Sequence, residues 1–143
     1  FNDGQYILKV GLLYEPKIWR KVALNGEDTL LDLHQIIQKA FKFDDDHLYA
    51  FYMDKRRNRS INDPRGGDPP FVDDFQLGDL NLTINQRFFY LFDFGDSWEF
   101  TIDLLEIQEV DKKLKTPKII EKKGEAPPQY GYYDEDDDFD KWE

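Results

Sequence analysis

Carboxylates and a histidine mark the two segments of this chain whose residue types could do chemistry. The segment FDFGDSWEF places Asp93, Asp96 and Glu99 three residues apart, and His47 follows three consecutive aspartates at 44–46. Carboxylate oxygens with one imidazole suit a hard or borderline divalent cation, so these residues could form the site of a metal-dependent enzyme. The competing interpretation is that the aspartates at 44–46 end a helix-to-strand loop and stay in water.

The triplet Asp93, Phe94 and Gly95 spells DFG, the magnesium-binding motif of protein kinases. A kinase also needs a glycine-rich phosphate loop, a strand lysine paired with a glutamate, and a catalytic loop, and the sequence has none of them. Gly95 followed by Asp96 instead predicts a two-residue hairpin turn with positive φ. In that register Asp93 lies opposite Trp98, and its carboxylate accepts a hydrogen bond from the indole N–H or from the turn amides.

The same turn predicts which side of each flanking strand is buried. Phe89 then lies opposite Ile102, and Leu91 lies opposite Phe100. The predicted core face consists of Phe89, Leu91, Phe100, Ile102 and Leu104, and the other face of the hairpin carries Phe88, Tyr90, Phe92 and Phe94.

A short basic cluster follows the third predicted strand. Lys55, Arg56, Arg57 and Arg59 could contact nucleic acid, and Ser60 lies beside them. The whole chain carries a net charge of −11, and an acidic body repels phosphate backbones. Nucleic acid is therefore a possible but disfavoured partner, and a solvated loop is the simpler explanation of the cluster.

Length and composition indicate one cytoplasmic domain. The 143 residues include 40% hydrophobic ones, enough for one core, and no cysteine for disulfides or thiolate metal sites. No apolar run approaches the ~20 residues of a membrane span, and no signal peptide is visible. We expect no membrane association and no cofactor.

Alternating hydrophobicity predicts five strands, the first two joined as an antiparallel hairpin by a short break. They cover 5–13, 17–24, 47–53, 87–94 and 98–107. Between the second and third strands lies one helix at 29–41, with Thr29 as N-cap and Asp32 completing a capping box. Its stripe of Leu33, Ile37 and Phe41 should pack on the sheet. His34 lies at the edge of this stripe, packed beside Leu30 and Ile37.

The rest of the chain lacks clear periodicity. A long loop is predicted at 54–76, a short helical turn at 77–82, and doubtful order from Glu109 onward. We therefore expect a single domain at 1–133 and a disordered acidic tail at 134–143.

Four segments resemble one known family. IWRKV, TLLDLHQIIQKAFKFDDDHLYAF, YLFDFGDSWEF and GEAPPQYG occur here in the order found in the Ri-plasmid ORF-three-like family, from about Tyr6 to Gly131. Some members of that family carry the label TnpR, a resolvase, but the family has no established biochemical activity. The motif residues of interest here are Trp19, Arg20, His47, Asp93, Gly95, Asp96 and Trp98.

The resemblance implies an α+β fold similar to an α/β roll. Its first half looks β-grasp-like (ββαβ…ββ), with a mixed sheet and one main helix packed on one face. The sequence departs from the family at Phe100, where a histidine is usual, and at Ala126, where a cysteine is usual. It also departs at 129–131, where an acidic residue and paired glycines are usual.

Three functions remain open. A non-catalytic module that binds an unknown protein partner is favoured, because no nucleophile–base pair is visible and aromatic residues suit protein contacts. An accessory role in DNA transactions of mobile elements follows the TnpR label, although Ser60 lies in a Pro/Gly-rich loop rather than on a rigid framework. A metal-dependent enzyme using His47, Asp93, Asp96 and Glu99 is the third.

Overall fold

One seven-stranded antiparallel sheet with an α-helix on one face organises the protein. The structure is a computed structural model and describes residues 4–57 and 59–129. The strands lie in the order β4-β3-β5-β6-β1-β2-β7. Their bounds, with that of the helix, are β1 Gly4–Leu12, β2 Glu15–Asn25, α1 Leu30–Phe41, β3 Tyr49–Tyr52, β4 Ser60–Asn62, β5 Arg87–Phe92, β6 Trp98–Glu109 and β7 Lys118–Lys123.

The α+β class is confirmed, but the predicted mixed sheet is wrong. Every ladder between the named strands is antiparallel. The crossover through α1 leads from β2 to β3, which are separated in the sheet by three other strands, so it creates no parallel neighbours. The α/β-roll and β-grasp likeness stays a prediction.

Local signals place α1 where the sequence predicted it. Thr29 Oγ1 accepts from the Asp32 amide at 3.2 Å, and Asp32 Oδ2 accepts from the Thr29 amide at 2.9 Å, which completes the capping box. Lys42 ends the helix in the left-handed conformation, with φ of 60°. The packing of the predicted stripe is confirmed, because Leu33, Ile37 and Phe41 are fully buried.

Alternate residues of the central strands point toward α1 and complete the core. This side of the sheet is rich in aromatic rings that contact one another; Phe100, for example, lies 5.0 Å from Phe41 and 5.4 Å from Tyr90 between ring centroids. The fully buried strand residues include Tyr6, Leu8, Val10, Val22, Leu24, Phe51, Phe88, Tyr90, Phe92, Phe100, Ile102 and Leu104.

Two stretches predicted to be irregular contain regular structure. The predicted loop at 54–76 includes β4 and a 3-10 helix at Val72–Asp74, and the predicted helical turn beyond it is a 3-10 helix at Leu77–Leu80. β7 lies in the stretch from Glu109 onward where order was doubted. The sequence did not predict this strand, because KIIEKK offers only two apolar residues. The predicted acidic tail at 134–143 lies outside the described residues.

The predicted register of the β5–β6 hairpin is wrong by one residue. Phe92 pairs with Trp98, so the connection has five residues instead of two. Positive φ falls on Asp93 and Ser97, with values of 64° and 54°, and not on Gly95 or Asp96. A one-residue slip exchanges the two faces of a strand. Phe88, Tyr90 and Phe92 therefore face the core, and Phe89 and Leu91 face away from α1.

Candidate functional site

The side of the sheet opposite α1, here called the open face, carries a row of residues across five strands. Trp19 pairs with Gly11, Gly11 with Thr101, Thr101 with Phe89, and Phe89 with Tyr52. Because directly paired residues project to the same side, the aromatic rings stand at both ends of this row. At the Trp19 end, the ammonium groups of two lysines lie over the indole at 5.2 and 5.9 Å.

A groove of about 220 Å³ opens at the Tyr52 end of this row. Its apolar wall comes from β3, β5 and the residue that follows β1, and its polar rim comes mainly from the segment after β3. Pockets for small molecules are usually ~300–1,000 Å³, so this groove fits one or two side chains better than a cofactor. The lining side chains include Leu13, Tyr52, Phe89, Leu91, Asp54, Lys55, Arg57 and Glu99.

Arg57 folds over the groove and is held there on two sides. Its Nη2 lies 2.6 Å from Glu99 Oε1, and its guanidinium lies 5.3 Å from the centre of the Tyr52 ring. Tyr14 donates from its hydroxyl to the other oxygen of Glu99 at 3.1 Å. This bond raises the pKa of Tyr14, because the ionised phenol would face a carboxylate. Glu99, a metal candidate from the sequence, therefore belongs to the groove.

The other members of the predicted basic cluster are exposed. Lys55, Arg56 and Arg59 form no ion pair with any residue at 4–57 or 59–129. Ser60 is the first residue of β4 and pairs with Tyr52, so the prediction that it lies in a loop is wrong.

Asp93 anchors the DFG turn through its own carboxylate. Its Oδ1 accepts from the amides of Gly95 and Asp96 at 3.2 and 3.3 Å, which is one of the two predicted bonding modes. Its carbonyl accepts from the Ser97 amide at 2.6 Å, which closes the turn. The alternative bond to the indole is absent, since the buried Trp98 Nε1 has no partner within the described residues.

Of the four metal candidates, His47 and Asp93 lie within ion-pair distance of each other. His47 Nε2 lies 3.5 Å from Asp93 Oδ2 and 3.7 Å from Asp46 Oδ1. Across residues 4–57 and 59–129, the geometry gathers no three His, Asp or Glu side chains as a metal would require.

We expect Asp93→Ala to lower the free energy of unfolding by ~1–3 kcal/mol, because the two turn amides lose their acceptor. Asp93→Asn should cost less than ~1 kcal/mol, since an amide oxygen can replace the carboxylate and asparagine tolerates positive φ. Trp98→Phe removes an unbonded donor and should act additively with either change in urea unfolding. A strongly non-additive double variant would contradict this geometry.

The interior between α1, β3 and β5 contains a hydrogen-bonded network that the sequence analysis missed. Gln38 accepts from the Asp45 amide at 2.8 Å and donates to the Tyr90 hydroxyl at 2.9 Å. His34 donates from Nε2 to Asp45 Oδ1 at 2.8 Å, since a carboxylate oxygen can only accept. The Nδ1 atom of the neutral ring is therefore an acceptor, and the Tyr90 hydroxyl donates to it at 2.6 Å. The sequence analysis placed His34 at the edge of the apolar stripe, whereas it is fully buried and stacks on the Tyr49 ring at 3.5 Å.

Arg65 closes this network from the surface. Its Nη2 lies 2.8 Å from Asp63 Oδ2 and 2.9 Å from Asp45 Oδ1, and its guanidinium lies over Tyr49. Asp63 is buried, and these bonds raise the pKa of Arg65. The Asp45–His34–Tyr90 order resembles a catalytic relay, but Tyr90 is fully buried and no substrate could reach its hydroxyl. The network therefore stabilises the fold.

Burial lowers the pKa of His34, which predicts loss of stability in acid. The folded state keeps His34 neutral while the unfolded chain binds a proton near pH ~6.5, so this contribution is complete above that pH and falls below it. Urea unfolding between pH 7.5 and 5 should show a slope of up to ~1.4 kcal/mol per pH unit from this group. His34→Gln should flatten that slope and His47→Gln should keep it; equal slopes in both variants would contradict the assignment.

Arg20 and two of the positions that depart from the family pattern, Phe100 and Ala126, lie in or beside the core. Arg20 is buried, donates to the carbonyls of Ala40 and Lys123 at 3.2 and 3.0 Å, and so joins the end of α1 to β7. Phe100 is fully buried and Ala126 packs against the core. The usual histidine and cysteine are thus replaced by apolar residues in or beside the core.

Comparison with known proteins identifies the family. The profile of the plasmid pRiA4b ORF-3-like proteins matches residues 5–132. The chain belongs to this family. The resemblance inferred from the sequence motifs is therefore confirmed, and the matched region includes all of the sheet except Gly4, the first residue of β1.

Two proteins similar to this ORF-3-like chain are described as uncharacterized or of unknown function. The uncharacterized protein y4hQ of Sinorhizobium fredii (strain NBRC 101917 / NGR234) is 33% identical over 128 residues, covering 85% of this chain but 63% of that protein's length. The crystal structure of a protein of unknown function, MM3350 from Methanosarcina mazei Go1, is similar with a TM-score of 0.74 and 27% identity, covering 90% of this chain and 74% of that one.

Within the described residues, α1 is too short and polar to cross a membrane.

Proposed function

We propose that this ORF-3-like domain is a non-catalytic protein-interaction module that binds a partner segment in the groove of its open face. The observation that carries the proposal is the groove itself, where Tyr52 and Phe89 stand beside Arg57 at the mouth of an apolar cavity. Tyrosine, phenylalanine and arginine are enriched at protein interfaces, and tyrosine and arginine dominate binding hot spots.

The dimensions of the groove support a peptide side chain as its occupant. A volume of about 220 Å³ holds one or two side chains, and Leu13 and Leu91 contribute apolar surface to its lining. Arg57 is pre-positioned by Glu99 and Tyr52, so binding would require little additional ordering of its side chain. A cytoplasmic location and a protein partner belong to the same proposal.

An accessory role in DNA transactions is the second candidate. The exposed cations Lys55, Arg56 and Arg59 favour it, and the net charge of −11 opposes it.

Peptide selection tests the interaction module. A library of random dodecapeptides would be displayed against the folded protein, and enriched peptides would be titrated with detection by fluorescence polarisation. Phe89→Ala enlarges the groove and should weaken binding by at least ~10-fold, the usual effect of truncating an aromatic hot spot. Ile84→Ala is the matched control, because Ile84 is an exposed apolar residue outside the groove lining. Equal affinity for both variants, or no enriched peptide, would contradict the proposal.

A further inference from the structure

The basic segment that follows β3, residues 54–57 and 59, contributes Asp54, Lys55 and Arg57 to one rim of the groove and differs in charge from the rest of the protein. It carries four cations and one carboxylate, while the whole chain has a net charge of −11. We propose that the partner segment is acidic, with an apolar side chain that fills the groove and flanking carboxylates that contact Lys55, Arg56 and Arg59. This inference rests on the proposed function and adds the chemistry of the partner.

The cations of this rim are available to a partner. Arg57 is already paired with Glu99, whereas Lys55, Arg56 and Arg59 are exposed and make no ion pair with any residue in the described ranges. Opposite charges across an interface accelerate encounter and set specificity, so three free cations beside an apolar groove favour a carboxylate-bearing segment.

The rim is held in place beside the groove by its own hydrogen bonds. Asp54 Oδ1 accepts from the Arg56 amide at 3.1 Å, and the Asp54 carbonyl accepts from the Arg57 amide at 3.2 Å. Arg57 has a φ of 59°, a conformation that its pairing with Glu99 and stacking on Tyr52 hold in place. The neighbouring cations are therefore presented from a defined turn.

Single-stranded nucleic acid is the competing occupant, since it also binds aromatic rings flanked by cations. Two features of the open face oppose a polyanion. Glu99 and Asp54 line the groove itself, and Asp103 lies on the same face, paired with Arg87 at 2.7 Å. A peptide can place an apolar group near these carboxylates and its own acidic residues at the rim. An oligonucleotide carries a negative phosphate at every nucleotide and would bring some of them close to these carboxylates.

The test uses charge-matched variants and the dodecapeptide library. Lys55→Gln/Arg56→Gln removes two rim cations, of which Lys55 lines the groove, and Lys112→Gln/Lys113→Gln removes two exposed cations outside the groove lining. Peptides enriched on the unaltered protein should contain an apolar or aromatic core with Asp or Glu on its flanks. The rim variant should lose this acidic bias and keep the apolar core, and the lysine variant should keep both.

Affinity measurements then separate the two proposals. Changing the acids of one enriched peptide to amides should weaken binding ~3–30-fold at low salt, and the rim variant should bind the original peptide more weakly by a similar factor. High salt should remove the difference. An unchanged acidic bias, or tighter binding of a dodecathymidine oligonucleotide, overturns this inference while groove binding stands. If the enriched peptides bind Phe89→Ala and the rim variant as tightly as they bind the unaltered protein, the proposed function itself is overturned, and the inference with it.

Discussion

Arg65→Ala is expected to lower the free energy of unfolding by ~2–4 kcal/mol. The change leaves the Asp63 carboxylate, only 1% exposed, without the guanidinium that binds both of its oxygens. Removing one partner of a fully buried pair costs ~3–5 kcal/mol. We expect a smaller loss because the Arg65 side chain is 48% exposed, so water can enter the space that it leaves.

Arg87→Ala is the matched control for this prediction. Arg87 also binds both oxygens of an aspartate, Asp103, at 2.7 and 3.0 Å, but on the open face. A solvent-exposed pair contributes ~0.2–1 kcal/mol, so urea unfolding should separate the two variants clearly. Asp63→Asn in the Arg65→Ala background should recover part of the loss, because it removes the stranded charge. Similar losses for both arginines would show that Asp63 is hydrated in the folded protein.

Leu33→Ala should lower the free energy of unfolding by ~2–5 kcal/mol. Leu33 is fully buried in the middle of the α1 stripe, and the shorter side chain leaves a cavity between helix and sheet. Gln35→Ala on the exposed side of the same helix is the control and should change stability by less than ~0.5 kcal/mol. A loss below ~0.5 kcal/mol for Leu33→Ala would mean that α1 does not pack as described.

The helix was predictable because its signals are local. Thr29 and Asp32 are three residues apart, and the apolar stripe repeats with helical spacing. The only long-range requirement was a sheet on which this stripe could pack. The first two long strands were predictable for the same reason, since alternation marks a strand that has one apolar side.

The DFG hairpin shows where local pattern fails. β5 carries apolar residues on both sides, so hydrophobicity could not choose between two registers one residue apart. The choice depends on Asp93, which adopts positive φ and binds two amides of its own turn. Asparagine and aspartate tolerate this conformation, and a rule based on Gly95 alone misses it.

The groove and the buried network could not be predicted from spacing, since their members meet only after the sheet assembles. Tyr52, Phe89 and Glu99 come from three strands, and His34 meets Tyr90 across 56 positions of the sequence. The basic cluster was visible in the sequence, but its position on the rim of an apolar groove was not. β7 was missed because a lysine-rich edge strand has too little apolar residue content to show alternation.

The central position of β1 has a consequence for synthesis of the protein. β1 pairs with β2 along one edge and with β6 along the other, where Gln5 meets Gln108 across 103 positions. At ~5–20 residues per second, a ribosome needs roughly 5–20 s to supply β6 after β1 has emerged. During that interval the nascent β1–β2 hairpin presents an unpaired, largely apolar strand edge, so chaperone binding to the growing chain should be strongest before β6 is translated.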